Sequence, residues 1–179
     1  MLTAHLPSGW LLSCLAIDRL KIPPQEARAF FIAGILGAIA PDFDMLWFYL
    51  VNAGQVHHHR YFTHWPILWL TLFAASCLLC HGQRHRRAGQ LAALFCAGCL
   101  LHLVLDSLVG DIWWLAPVVD KPFALATVPR HFEPWWLNFI LHWSFAAELA
   151  IWAAAIWLFL RQRVQKQPTR LSEHPMQAK

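Results

Sequence analysis

Charge is what this sequence has least of. Only 13% of its 179 residues are Asp, Glu, Lys or Arg, while 58% are hydrophobic. Soluble domains carry about 25% charged residues, so an ordinary soluble globule is excluded. The first residues have no basic stretch before the apolar run and no small-residue cleavage site after it, so no cleavable signal is expected. There is no internal repeat, which weighs against a carrier built from paired halves. The basic residues form no separate stripe, so no nucleic acid is expected as a partner.

What is present is apolar and aromatic. Eleven Trp and twelve Phe accompany a mean hydropathy of +0.43. Several apolar runs approach the ~20 residues that cross a bilayer. The reading is an all-α polytopic membrane bundle over residues 1–160, with membrane lipids as its surroundings. Five spans are expected, near 5–17, 29–51, 65–80, 88–108 and 135–160. The polar tail 161–179 is expected to be cytoplasmic and disordered.

Lys and Arg set the expected orientation. Arg19, Lys21 and Arg28 follow the first span; Arg84, Arg86 and Arg87 follow the third; Arg161, Arg163, Lys166, Arg170 and Lys179 follow the fifth. Only Arg60, Lys121 and Arg130 fall on the opposite side. The positive-inside rule makes the first side cytoplasmic, with the N-terminus outside.

Depth then groups the polar residues. At 1.5 Å per helical residue, Asp42 and Asp44 lie about 21 and 24 Å from Arg28, and His102 and Asp106 about 22 and 28 Å from Arg87. His64 lies about 25 Å from His81, His5 about 21 Å from Arg19, and His142 about 28 Å from Arg161. Each span delivers a His or Asp to one layer in the outer half of the bilayer. Separate salt bridges need not share a depth; a single polar site must.

Three motifs supply that layer. His102-Leu103-Val104-Leu105-Asp106 places an imidazole and a carboxylate on one helix face. An Asp in mid-membrane costs about 2.5–3.5 kcal/mol unless something offsets it. In Ala40-Pro41-Asp42-Phe43-Asp44 the proline breaks the helix, and only local unwinding lets both carboxylates approach one point. His57-His58-His59-Arg60-Tyr61-Phe62-Thr63-His64 offers imidazoles, the commonest metal ligand, and an Arg fork suited to phosphate or carboxylate. Plainer alternatives are a proline kink at a wet rim, a His-rich loop (His57 and His58 above all), and a His–Asp bond that only joins helices. Glu148 is expected to meet a polar partner within the bundle. The pairs Trp113-Trp114 and Trp135-Trp136 flank a Pro-rich loop that either covers a site or is an ordinary wet loop.

Cys77-x2-Cys80 and Cys96-x2-Cys99 imitate a zinc ribbon in spacing. They lie in apolar spans with sulfurs at unequal depth, and read as small buried residues.

Taken together, His5, Pro41-Asp42-Phe43-Asp44, His59-Arg60-Tyr61-Phe62-Thr63-His64, and His102 to Asp106 followed by Gly110, Trp114 and Pro117 resemble the YdjM-like family of small bacterial inner-membrane metal-dependent hydrolases. The resemblance covers about residues 1–120. The chain departs from the family pattern at Met45, where many members have His, and at Tyr61 and Trp65. The ligand pattern is also similar to that of all-helical zinc phospholipases C.

The expectation is a hydrolase of the bacterial cytoplasmic membrane in which a metal-activated water attacks an ester or phosphodiester, lipid in character, at the outer half of the bilayer. Its metal ligands would be His5, Asp42, Asp44, His59, His64, His102 and Asp106. Zinc suits them first, then manganese or magnesium. Asp44, Asp106 and Arg60 would be catalytic, and Arg60, Thr63 and His142 would bind substrate. The rivals are an ion- or proton-coupled transporter and a non-catalytic metal-binding membrane helper.

Overall fold

The computed structural model describes residues 1, 3–53 and 55–165. The helices are α1 (His5–Arg19), α2 (Pro24–Ile39), α3 (Asp44–Leu50), α4 (Pro66–Leu79), α5 (Arg86–Asp106), α6 (Trp135–Ile140) and α7 (Phe145–Gln165). Short 3₁₀ turns cover Ala40–Phe43, His58–Arg60 and Phe62–His64. The architecture is all-helical, as expected. Of the tail expected from residue 161, the first five residues continue α7; the remainder lies outside the described residues.

Three segments are long and apolar enough to cross a membrane: Pro24–Leu50, Arg86–Asp106 and Phe145–Gln165. α4 is apolar but has only 14 residues, and α1 has 15. Both fall short of the ~20 that span a bilayer unaided.

Two expected spans are interrupted. Pro41 lies in the 3₁₀ turn between α2 and α3, where a residue without an N–H cannot continue the α-helical ladder. The stretch 135–160 is broken between Ile140 and Phe145. There the Ser144 hydroxyl bonds His142 Nδ1 at 2.9 Å, a local side-chain bond of the kind that competes with helix.

α5 is the central element. It packs against α2 and α4, α2 packs against α1, and α1 touches α7. Small residues set the closest approach, as in membrane helix pairs. A Cβ on Gly98 would stand 2.8 Å from the Ala38 nitrogen, so only glycine fits this crossing of α5 over α2. The outer helix faces remain apolar: Leu50, Leu78, Ile156 and Trp157 are all exposed. Such a surface suits lipid, not water.

The loop after α5 folds back onto it. Leu125 and Ala126 donate their N–H groups to the Ser107 and Leu108 carbonyls, at 2.7 and 3.1 Å. Ile112 pairs with Phe123 in an isolated bridge. The loop therefore lies beside Asp106, at the end of α5 where the polar residues collect. The N-terminal segment is tied there too. Thr3 donates from its N–H (2.5 Å) and its hydroxyl (2.8 Å) to Glu148 of α7.

Candidate metal centre

The first carboxylate comes from the break in the second span. Because the backbone runs as a 3₁₀ turn through Asp42 and returns to α-helix at Asp44, the two side chains reach opposite edges of one ring. Asp44 Oδ2 accepts from His64 Nδ1 at 2.7 Å, and Asp42 Oδ1 stands 3.8 Å from His64 Nε2. The Thr63 hydroxyl also donates to Asp44 Oδ2, at 2.5 Å.

α5 brings the other half. His102 Nδ1 donates to the Ala38 carbonyl at 2.8 Å across the α2–α5 crossing. Its Nε2 then faces Asp42 Oδ1 at 3.5 Å and Asp106 Oδ2 at 3.0 Å. His59 is held in the same manner by the loop: Nδ1 bonds the Asp111 carbonyl at 2.9 Å, and Nε2 lies 3.5 Å from Asp106 Oδ2. Gly110 permits this, since a Cβ there would come within 3.1 Å of His59 Cε1. Burial pushes the His59 pKa down to about 3, in spite of the facing Asp106. The ring is therefore neutral, the form that ligates metals.

His5 stacks on His102, ring centroids 3.9 Å apart, and points Nε2 at Asp106 Oδ1 from 3.1 Å. The Met1 amino group contacts the same oxygen. Asp106 thus offers Oδ1 to the N-terminal segment and Oδ2 to His59 and His102.

The fit to a metal ion follows from atoms left without partners. His64 Nε2, His102 Nε2, His58 Nδ1, His5 Nδ1 and Asp44 Oδ1 are buried and make no hydrogen bond with the described residues. Each unpaired buried polar group costs about 1–3 kcal/mol. Asp42, His64, His102 and Asp106 bring one donor atom each to within 4.8 Å of one another. Donors on a tetrahedral ion at 2.0–2.1 Å stand about 3.3 Å apart. Three of the six separations, at 3.0, 3.5 and 3.8 Å, bracket that value, and the rest stay within 4.8 Å. Metal-bound imidazoles donate their other N–H to a carboxylate or carbonyl, which is the position of Asp44 behind His64 and of Ala38 behind His102. The donor set is nitrogen and oxygen without sulfur, suited to a borderline or hard divalent ion.

The geometry redistributes several expected residues. Asp44 and Thr63 stand behind His64. Arg60 turns away, its guanidinium 2.6 Å from Asp120 and stacked over Trp113, in a neighbouring pocket. His142 pairs with Ser144. None of Arg60, Thr63 and His142 lines the cavity at the cluster. That cavity, of about 300 Å³, is lined by the polar Asp42, His58, His59 and Asp106 and by the apolar Met45, Val109, Trp135 and Phe139.

A family model described as YdjM inner membrane protein matches residues 1–168. The chain belongs to that family. It is accordingly a protein of the inner membrane, and three of its helical segments are long and apolar enough to cross one. No curated protein and no solved structure matches it. The family match extends beyond the motif-bearing first 120 residues into α7, the helix that ties down the segment before His5.

Sequence reasoning set His58 aside, yet it joins His59 and His64 in a second group of possible ligands. Its neighbourhood to His59 gave no signal, because only the 3₁₀ turn decides that both rings point inward. The carbonyls of Ala38 and Asp111 carry no side-chain signature. The pair Trp135-Trp136 reads as an interfacial belt, while the structure puts Trp135 on the cavity wall together with Phe139, which carries no signal in the sequence.

Proposed function

We propose that this protein is a membrane-embedded metal-dependent hydrolase acting on an amphiphile with an ester or phosphodiester at its polar end. The observation that carries the proposal is a pair of buried imidazole nitrogens, His64 Nε2 and His102 Nε2, that make no hydrogen bond with the described residues and stand 3.0 to 3.8 Å from Asp42 and Asp106, two residues that line a cavity. Asp42, His64, His102 and Asp106 would hold the ion, with zinc the first choice and manganese or magnesium next. Such an ion supplies Lewis acidity and lowers the pKa of water to about 7. Asp44 and the Ala38 carbonyl fix the two rings with Nε2 facing inward. Asp42 and Asp106 line the cavity, so a carboxylate stands ready to take the proton of an attacking water. Met45, Val109, Trp135 and Phe139 of the cavity lining would offer an apolar surface to a lipid chain. The Lys and Arg distribution supports a site facing the outer half of the bilayer.

The test is turnover by the purified full-length protein in detergent. Zinc- or manganese-loaded protein is given short-chain phosphodiester and carboxylic-ester lipids. Chelator-sensitive hydrolysis that Asp106→Ala abolishes is the expected result. Stoichiometric metal without turnover on either class would overturn the hydrolase and leave a metal-binding helper. Metal-free protein under every loading condition would overturn both. A tag found cytoplasmic at the N-terminus would overturn the outward-facing site.

A further inference from the structure

The four-donor group leaves part of the cluster unused. His58 Nδ1 and Asp44 Oδ1 are buried, unpartnered and 3.8 Å apart. His58, His59 and His64 each bring a donor to within 4.8 Å of the others. His59 Nε2 faces the same Asp106 oxygen as His102 Nε2, at 3.5 and 3.0 Å. A single tetrahedral ion uses four donors and would leave His58 Nδ1 and Asp44 Oδ1 facing each other at 3.8 Å, beyond hydrogen-bond distance.

We infer that the centre binds two divalent ions, the first on Asp42, His64 and His102, the second on His58, His59 and Asp44, with Asp106 bridging them. The inference rests on the metal-centre reading above and extends it to a substrate class. Three carboxylates are balanced by one divalent ion together with the Met1 ammonium on Asp106, which leaves a neutral centre with no pull on an anionic substrate. Against two ions they leave a net positive charge, which attracts such a substrate. The imidazoles are neutral ligands and do not alter the balance. A pair of adjacent ions acts as a clamp on both the attacking and the leaving oxygen of a phosphoester. The second ion therefore selects the phosphodiester over the neutral carboxylic ester. His58 and His59 line the cavity wall, so the second ion would sit on the substrate side.

The test is metal counting on tag-free, full-length protein in detergent, loaded with manganese and freed of loose ions on a desalting column. Two ions per chain are expected, with the spin-coupled electron paramagnetic resonance signal of a close pair. His58→Ala is expected to retain one ion and lose the coupling. One ion in the wild-type protein overturns the second site and leaves the hydrolase reading standing. Two uncoupled ions place the extra one on exposed histidines and overturn it as well. No ion at all sinks both readings. If His58→Ala misfolds, the wild-type count and signal still decide.

Discussion

α5 carries two sets of metal-ligating side chains within three turns, Cys96 and Cys99 and then His102 and Asp106, and each set meets a partner set on neighbouring elements. Cys96 and Cys99 are buried among Trp69, Leu103 and Ile112. Across from them, Cys80 spends its thiol on the Ser76 carbonyl at 3.3 Å. All five cysteines are free. In the His/Asp set, by contrast, the far nitrogen of each ring is fixed from another element: His102 by Ala38, His59 by Asp111, His64 by Asp44. The near nitrogens of His64 and His102 have no partner. Residue type and spacing do not separate the two sets. What separates them is that one has ligands held from behind with their inward atoms left unpaired, whereas the other fills space.

The largest effect that tests this contrast comes from the inward donors themselves. His102→Ala and Asp106→Ala should each weaken metal binding by more than about 100-fold, beyond the 10–100-fold cost of losing an outer partner. Elemental analysis of purified protein reads it directly, with helicity by circular dichroism as the folding control. Full metal occupancy in both variants would erase the distinction between the two sets.

The next effect comes from the supports. Asp44→Asn removes the charge behind His64 and lets an amide N–H face Nδ1, which favours the wrong tautomer. The tightest-bound ion should be released about 10–100-fold more readily, measured by competition with a chromogenic chelator. An unchanged affinity would mean that the hydrogen bond to Asp44 does not set the ring, and the comparison would lose its physical basis.

How much of this was legible in the sequence follows from the same distinction. His102 and Asp106 share a helix face by arithmetic, and equal depth along separate spans grouped them with His5, Asp42 and His64; the structure brings these five together. Depth counting failed at His142 because it assumes an unbroken helix, and the chain breaks between Ile140 and Phe145. It gave Asp42 and Asp44 nearly the same depth, and only a 3₁₀ turn of four residues sets them at opposite edges of the His64 ring. Arg60 was read from its chemistry alone, and its partner Asp120 lies sixty residues away in the loop. Backbone acceptors such as Ala38 and Asp111 are invisible to a reading of side chains.

A smaller effect should come from the glycine beside His59. Gly110→Ala places a Cβ 3.1 Å from His59 Cε1. The ring must yield by a few tenths of an ångström, and overpacking of this kind costs about 1–3 kcal/mol. Part of that cost should appear as a metal affinity lowered about 3- to 10-fold, since His59 shares Asp106 Oδ2 with His102, at 1.4 kcal/mol per tenfold. Isothermal titration of the variant against wild type measures it. No change in affinity with a lowered melting temperature would separate His59 from the centre.

The smallest effect on metal should come from the thiols. Replacing both Cys96 and Cys99 with Ala keeps the residues apolar and removes the only strong soft ligands that α5 carries. Metal affinity should stay within about twofold of wild type, far inside the losses of 10-fold or more that mark a true supporting residue. Stability should fall instead, by about 1–2 kcal/mol for two small cavities in a packed core, read as a lower melting temperature in detergent. Both thiols share a buried cluster with Leu103 and Trp69, one and nearly two turns before His102, so the variant also asks whether packing beneath the centre holds its geometry. A loss of metal as large as that of His102→Ala would make the cysteines part of the site and remove the difference between the two sets. A melting shift with metal retained leaves them as packing, and leaves the anchored, unpaired imidazoles as the feature that makes the other set a site.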